Sequence, residues 1–126
     1  MKPHFILFVS DQEKSTRFYE TVLAEKAVIN VPGMTEFKLN DKCRLGLMPA
    51  HGIKKLLGDK LPDIAAAQAG PRVELYLLVE NPEKYNARAL KSGAKEISKL
   101  KVRDWGHKAA YCLDPDGHLL VFAEVC

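Results

Sequence analysis

Two side chains that could do chemistry stand at matching places in the sequence. His4 lies seven residues before Asp11, and Glu74 lies seven residues before Asn81. A histidine and a carboxylate are both acceptable ligands of a divalent metal, and they can also act as acid and base. A direct contact between His4 and Glu74 would satisfy both side chains without a metal, and it would favour the imidazolium form of the histidine. Both interpretations, a metal or acid–base site and a direct contact, depend on the strands and helices that position these two residues.

Apolar runs and turn residues predict the elements of the first part of the chain. Asp11 offers a side-chain oxygen as the cap of a helix over residues 12–23, whose apolar positions have helical spacing. The predicted strands around this helix cover residues 4–10, 26–31, 35–39 and 43–48. The following stretch is rich in Pro and Gly and is predicted to be a connector, with a candidate short helix over residues 53–57 and a candidate helical turn over residues 63–69.

The same order of elements returns after the connector. Asn81 and Pro82 cap and start a second helix, which Gly93 ends. The turn Asp114-Pro115-Asp116-Gly117 leads into the last strand, over residues 118–124. The other predicted strands cover residues 72–79, 95–102 and 107–113.

The second half can be laid on the first with a shift of 70 residues. Val9 then falls on Val79, and Asp11 falls on Asn81. Such a repeat predicts two β-α-β-β-β modules within one α+β domain over residues 1–126. The predicted boundaries are about 1–49 for module one, 50–71 for the connector and 72–126 for module two. The alternative is an α+β protein whose halves look alike by chance.

Composition excludes several classes of function. The chain has 126 residues and a net charge of +3, with its Lys and Arg scattered, so we expect no nucleic-acid partner. No apolar run is long enough for a signal peptide or a membrane span, so we expect no membrane partner. Three cysteines without paired spacing are interpreted as free thiols of a cytoplasmic protein.

These segments resemble the vicinal oxygen chelate superfamily, which includes glyoxalases, bleomycin-resistance proteins and extradiol dioxygenases. The motifs that carry the resemblance are Ser15-Thr16-Arg17-Phe18-Tyr19 followed by Val22-Leu23, and Asp114-Pro115-Asp116-Gly117-His118. The resemblance implies two modules that form a curved mixed sheet around a cavity, with the helices outside. It also implies a homodimer and a small organic ligand.

The resemblance implies a metal site with one ligand on the first strand and one on the last strand of each module. His4 and Glu74 stand at the two first-strand positions, but Gly46 and Val121 stand at the other two and have no donor atom. Glu124 and His118 are each three residues from Val121 and are therefore expected on the opposite face of the strand. We expect His4 and Glu74 to be vestigial positions, with no metal or other cofactor bound.

Strand alternation predicts which residues line the cavity. The predicted lining is mostly apolar with a few hydroxyls, as in many small-molecule sites. It consists of Ile6, Phe8, Tyr76, Leu78, Trp105, Tyr111, Leu119 and Val121. Arg103 and His107 flank Trp105 and are interpreted as solvated side chains.

Two functions remain open at this point. The first is a metal-independent protein that binds a neutral or aromatic small molecule. The second is a glyoxalase-like lyase or isomerase, or a dioxygenase-like enzyme. It would use a Zn, Ni, Mn or Fe ion, or would use Glu74 and His4 as acid–base catalysts. A dimer whose cavity has closed is a third alternative. The empty ligand positions favour the binding protein over the enzyme.

Overall fold

The computed structural model describes residues 1–64 and 70–126, and it shows two β-α-β-β-β modules in an α+β fold. The predicted fold class is therefore confirmed. The first module consists of β1 (His4–Val9), α1 (Gln12–Leu23), β2 (Ile29–Val31), β3 (Met34–Lys38) and β4 (Arg44–Pro49). After α2 (Ala50–Leu57) and one 3-10 turn (Gly58–Lys60), the second module consists of β5 (Glu74–Leu78), α3 (Pro82–Lys91), β6 (Lys95–Val102), β7 (His107–Leu113) and β8 (Leu119–Val125).

The chain divides into two compact units, which we call the first and second unit. The second unit contains residues 70–126 together with residues 21–23, and the first contains the rest of the described chain. Each unit has one four-stranded sheet. The strand order is β1-β4-β3-β2 in the first and β5-β8-β7-β6 in the second. In both sheets the first and last strands of the module pair in parallel, and the other pairs are antiparallel.

The first unit packs α1 against one face of its sheet. Asp11 caps the helix by accepting a hydrogen bond from the Lys14 backbone N–H at 3.0 Å, as the sequence predicts. Tyr19 is fully buried, and its ring lies 6.4 Å from that of the equally buried Phe37 on β3. This contact fixes which face of the sheet is covered by the helix and which is left open.

The second unit repeats this arrangement with α3. Asn81 caps the helix from a left-handed conformation, and Pro82 occupies its first position. The Tyr85 ring lies 5.7 Å from the ring of Phe122, which is fully buried on β8. Because side chains alternate along a strand, Val121 and Ala123 are directed to the other, open face.

The register confirms the repeat. Ile6 pairs with Gly46 on the neighbouring strand, and Tyr76, 70 residues after Ile6, pairs with Val121, 75 residues after Gly46. The two shifts inferred from sequence thus describe equivalent backbone positions.

Some element boundaries differ from the prediction. The strand predicted over residues 72–79 begins only at Glu74, because its partner β8 begins at Leu119, which is the residue opposite Glu74. The short connector helix begins at Ala50, not at residue 53, directly after Pro49 ends β4. Residues 65–69 of the predicted connector lie outside the described residues.

Candidate functional site

The open face of the second sheet has an apolar floor made of small side chains. Ala109, Val121 and Ala123 are fully buried there. Three larger side chains on the same face, those of Tyr76, Tyr111 and Leu119, pack against this floor and are themselves only partly buried. The face therefore offers a packed base with aromatic groups above it, which is a suitable surface for a flat molecule.

Tyr76 is the centre of a hydrogen-bonded chain on this face. Its hydroxyl oxygen lies 2.8 Å from Nδ1 of His107 and accepts a hydrogen bond from Nε1 of Trp105 at 3.0 Å. His107 lies on β7, which is separated from β5 by β8. To reach it, the Tyr76 side chain crosses the row in which Ala123 pairs with Ala109. The two alanines leave room for the phenol to lie across the sheet.

A tight turn between β6 and β7 places Trp105 beside this phenol. The Arg103 backbone N–H donates to the His107 carbonyl oxygen at 2.7 Å, and the Gly106 N–H donates to the Arg103 carbonyl oxygen at 3.2 Å. Gly106 has a φ of 87°, a conformation that glycine adopts without strain. The indole N–H is thus held against Tyr76, while 52% of the Trp105 surface remains exposed.

Arg103 holds the neighbouring part of the face together. Its guanidinium lies 4.9 Å from the centre of the Tyr111 ring and donates to the Ala109 carbonyl oxygen at 2.8 Å. Further bonds go to Ser98 Oγ and to the Lys99 carbonyl oxygen. The interpretation of Arg103 and His107 as solvated side chains is therefore wrong. Arg103 is bonded within the β6–β7 hairpin, and His107 is bonded to Tyr76 because the strand order brings β5 and β7 close together.

Tyr111 remains a neutral phenol at physiological pH. Burial raises its pKa above the ordinary value of 10.0, and the negative charges of Glu74 and of an ionised Tyr76 act in the same direction. Arg103 opposes this shift without cancelling it. Tyr111 therefore keeps its hydroxyl hydrogen under physiological conditions.

The predicted site residues are distributed over both units. Trp105, Tyr111, Leu119 and Val121 gather around Tyr76 in the second unit. Leu78 lies on the same strand face and is 58% exposed, and Glu74 is exposed at the start of β5. In the first unit, His4, Ile6 and Phe8 share one face of β1, with His4 opposite Arg44.

The open face of the first sheet is built differently. Arg44 Nη1 lies 2.9 Å from Glu36 Oε1, an ion pair whose carboxylate side chain is only 16% exposed. A Cβ atom added to Gly46 would lie 3.1 Å from Ile6 Cγ1 and 3.4 Å from Met34 Sδ. The space above Gly46 is therefore already filled by neighbouring side chains.

The residues present do not fit the metal site that the resemblance implies. Gly46 provides no donor, and its space is taken by Ile6. Val121 provides no donor either, and it is fully buried where Tyr76 and Tyr111 pack. Within residues 1–64 and 70–126, no group of three or more His, Cys, Asp or Glu side chains is arranged to hold a metal ion.

The turn before β8 contains an ion pair between the buried Asp114 and His118, which was not predicted from the sequence. The Asp114 side chain is fully buried, and its Oδ1 accepts hydrogen bonds from the backbone N–H groups of Asp116 and His118, each at 2.9 Å. Its Oδ2 lies 2.8 Å from His118 Nδ1. Burial disfavours charge on His118, but the hydrogen bond and the charges of Asp114 and Asp116 outweigh it and raise the pKa of His118 above 6.5.

Comparison with known proteins agrees with this architecture. The family model described as Glyoxalase/Bleomycin resistance protein/Dioxygenase superfamily matches residues 3–122. The chain therefore belongs to this superfamily, as the resemblance of its motifs implies. None of the curated proteins matches the chain. No helix in the described part of the chain is long and apolar enough to cross a membrane.

Several solved structures have the same fold. A glyoxalase/bleomycin resistance protein/dioxygenase family enzyme from Burkholderia phytofirmans PsJN superposes with a TM-score of 0.83 at 20% identity, covering 98% of this chain and 97% of that chain. A glyoxalase-related enzyme from Fulvimarina pelagi gives 0.81 at 20% identity, covering 98% and 87%. Protein ATC0852 from Agrobacterium tumefaciens gives 0.76 at 25% identity, covering 100% and 98%.

Proposed function

We propose that this protein binds a small neutral or aromatic organic molecule, without a metal, on the open face of its second sheet. The observation that carries the proposal is the chain Trp105–Tyr76–His107 held above a floor of small buried residues. Sites for small molecules combine apolar walls with a few fixed polar groups, and this face has both. Membership of a superfamily that includes bleomycin-resistance proteins is consistent with binding.

The exposed part of the site is suited to stacking. Trp105 is 52% exposed, Leu78 58% and Val125, which pairs with His107, 70%. Covering the exposed part of an indole removes on the order of 100 Å² of apolar surface from water, which is worth about 2–3 kcal/mol. A flat ring packed against Trp105 would gain this energy without moving the backbone.

The charges of the face favour a neutral ligand over a cationic one. Arg103 already places a positive charge beside Tyr111, and Glu74 is the carboxylate close enough to affect the Tyr111 pKa. The homodimer and the cytoplasmic location remain proposals. The family supports the first, and the free state of Cys43, Cys112 and Cys126 supports the second.

The alternative, a lyase or isomerase that uses Glu74 and His4, has weaker support. Both side chains are exposed, and neither forms part of the hydrogen-bonded chain around Tyr76. A general base is most effective when its surroundings exclude water and hold it against the substrate.

The single tryptophan of the sequence makes the proposal directly testable. In a ¹⁵N-labelled sample kept in EDTA, Trp105 gives one indole N–H resonance, and this N–H is the one bonded to Tyr76. We expect saturable shifts of this resonance on titration with 1-indanone, with a dissociation constant of about 1 mM or below, in the range for a fragment of this size.

Two outcomes would overturn the proposed function. One is that neither 1-indanone nor larger flat aromatic compounds move the Trp105 resonance. The other is that binding appears only after Zn, Ni, Mn or Fe(II) is added. Tyr85→Phe is a matched control, because it removes a phenol hydroxyl from α3, on the opposite side of the sheet, and should leave binding unchanged.

A further inference from the structure

We infer, on the basis of the binding site proposed above, that the Tyr76 hydroxyl acts as a hydrogen-bond donor that selects flat ligands carrying a carbonyl oxygen. The inference comes from the hydrogen-bonding capacity of the three groups that meet at this hydroxyl. Tyr76 Oη has one hydrogen to donate and two lone pairs that can accept. Trp105 and His107 occupy two of these three positions.

Trp105 fixes one of the two lone pairs. An indole N–H is a donor only, so the contact of 3.0 Å from Nε1 to Tyr76 Oη has a defined direction. The Tyr76 oxygen is an acceptor in this bond whatever else happens around it. Its hydrogen must therefore go either to His107 or to a ligand.

His107 decides between these two possibilities. Its Nδ1 carries a hydrogen both in the imidazolium form and in one of the two neutral tautomers. In both forms Nδ1 donates to Tyr76 across the contact of 2.8 Å, which occupies the second lone pair. The Tyr76 hydrogen is then left for a third group. Only the remaining tautomer, with its hydrogen on Nε2, would accept the Tyr76 hydrogen. In that tautomer the second lone pair of Tyr76 Oη would be left to accept a hydrogen bond from a ligand. Our inference assigns to His107 a hydrogen on Nδ1, the arrangement that leaves the Tyr76 hydrogen for a ligand that accepts a hydrogen bond.

The surroundings make Tyr76 the donor that such a ligand meets. Its ring is packed on Ala109, Val121 and Ala123, so the hydroxyl is held in one position. The nearby Arg103 guanidinium is already bonded to the Ala109 and Lys99 carbonyl oxygens and to Ser98. The exposed indole of Trp105 offers a stacking surface next to this hydroxyl. A carbonyl conjugated to an aromatic ring matches both features.

The test compares two probes that differ in one group. 1-Indanone and indane share a flat bicyclic skeleton, and the ketone replaces one methylene by a carbonyl. We expect the ratio of their dissociation constants, indane over 1-indanone, to fall about fivefold in Tyr76→Phe, the effect of losing one net hydrogen bond. Comparing ratios between the two proteins removes the difference in hydrophobicity between the probes. Tyr85→Phe should keep the wild-type ratio.

The outcomes separate this inference from the proposed function. If both probes bind and the ratio is the same in wild type and Tyr76→Phe, the site stands and the selection by Tyr76 is wrong. If neither these probes nor larger flat aromatic compounds move the Trp105 resonance, the proposed site is wrong and the inference falls with it. A fall of the ratio only in Tyr76→Phe supports both.

A measurement on the wild-type protein keeps the inference testable if Tyr76→Phe does not fold. The carbonyl ¹³C resonance of labelled 1-indanone lies downfield in water, where the oxygen accepts hydrogen bonds, and upfield in apolar solvents. We expect the bound ketone to keep a value at or downfield of that in water. A bound value close to that in an apolar solvent would overturn the inference, because the oxygen would then have no donor.

Discussion

The open faces of the two sheets share a register but differ in the side chains of their central row. In the first sheet, one row across three strands consists of Ile6, Gly46 and Glu36. In the second sheet, the same row consists of Tyr76, Val121 and Tyr111. The first row carries an ion pair to Arg44 and a glycine covered by its neighbours, whereas the second carries two phenols packed on a valine. The second module thus repeats the backbone arrangement of the first but not the side chains of its open face.

The neighbouring row explains why only the second face holds an aromatic site. Met34 and Met48 of the first sheet stand where the second sheet has Ala109 and Ala123. Methionine side chains are long and fill irregular space. The alanines leave a flat floor over which Tyr76 reaches His107. The small side chains of Ala123 on β8 and Ala109 on β7 are therefore as necessary to the site as the aromatic residues themselves.

The turns before the last strands show the same contrast, and they lead to the largest expected effect. Both turns close with equivalent backbone bonds, Leu39 N–H to the Cys43 carbonyl oxygen and Asp114 N–H to the His118 carbonyl oxygen, each at 2.9 Å. Only the second turn adds a buried carboxylate.

Removing that carboxylate in Asp114→Ala should lower the free energy of unfolding by about 3 kcal/mol, because two backbone N–H groups and an imidazole lose their acceptor. Urea unfolding measures this value. The control is Asn40→Ala in the first turn, whose exposed Oδ1 accepts one bond from the Lys42 N–H and should be worth less than about 1 kcal/mol. Equal costs for the two variants would contradict the comparison.

The second prediction makes the floor of the second sheet resemble the first. Ala123→Met introduces the side chain that the first sheet has at the equivalent position, Met48. Ala123 is fully buried. We expect a loss of about 2 kcal/mol from overpacking, together with displacement of the Tyr76 phenol from His107. Urea unfolding gives the energy, and the Trp105 indole resonance reports the displacement. Met48→Ala is the reverse change in the first unit and should leave this resonance in place. An unchanged resonance in Ala123→Met would show that the alanine floor does not position Tyr76.

These contrasts also show which features of the structure could be predicted from the sequence. The repeat, the helix caps at Asp11 and Asn81 and the turn before the last strand are local signals, and they predicted the two modules in their correct order. Strand alternation predicted that Tyr76 and Val121 share a face, because that property depends only on the period of a strand.

The contact between Tyr76 and His107 could not be predicted in the same way. It joins β5 to β7 across β8, so it depends on the order of the strands in the sheet and on the small size of Ala109 and Ala123 between them. The only available signal was the occurrence of alanine at alternate positions after His107 and Val121. By itself that pattern suggests packing and not a site. The missed pair of Asp114 and His118 had a local signal, since Asp four residues before a His within a tight turn can fold back on it.

The third prediction concerns the helix-covered faces. In the first unit, the fully buried Thr35 hydroxyl lies 2.8 Å from Thr16 Oγ1 and accepts a bond from Gln12 Nε2 at 3.0 Å. In the second unit the equivalent positions hold Ala110 and Asn86, and the buried Asn86 Oδ1 has no hydrogen-bond partner among the described residues. Thr35→Val should cost about 1–2 kcal/mol in urea unfolding, because it leaves buried polar groups unpaired. Asn86→Ala should be neutral or slightly stabilising, and a large cost there would mean that this oxygen is satisfied after all.

The smallest effect is a dependence of stability on pH that only the second turn should have. The pKa of His118 is raised in the folded protein, so the charged imidazole stabilises the fold fully below its unfolded value near 6.5. This contribution is lost as the pH rises through the higher folded pKa. Wild type should therefore be more stable than His118→Gln at pH 5.5, and the difference should shrink by up to about 1 kcal/mol by pH 8. Thermal unfolding across this range measures the difference. Cys43→Ser, at the equivalent position of the first turn, is the matched substitution in the first unit. A difference between wild type and His118→Gln that grows as the pH rises would reverse the sign and show that burial, and not the Asp114 carboxylate, controls this histidine.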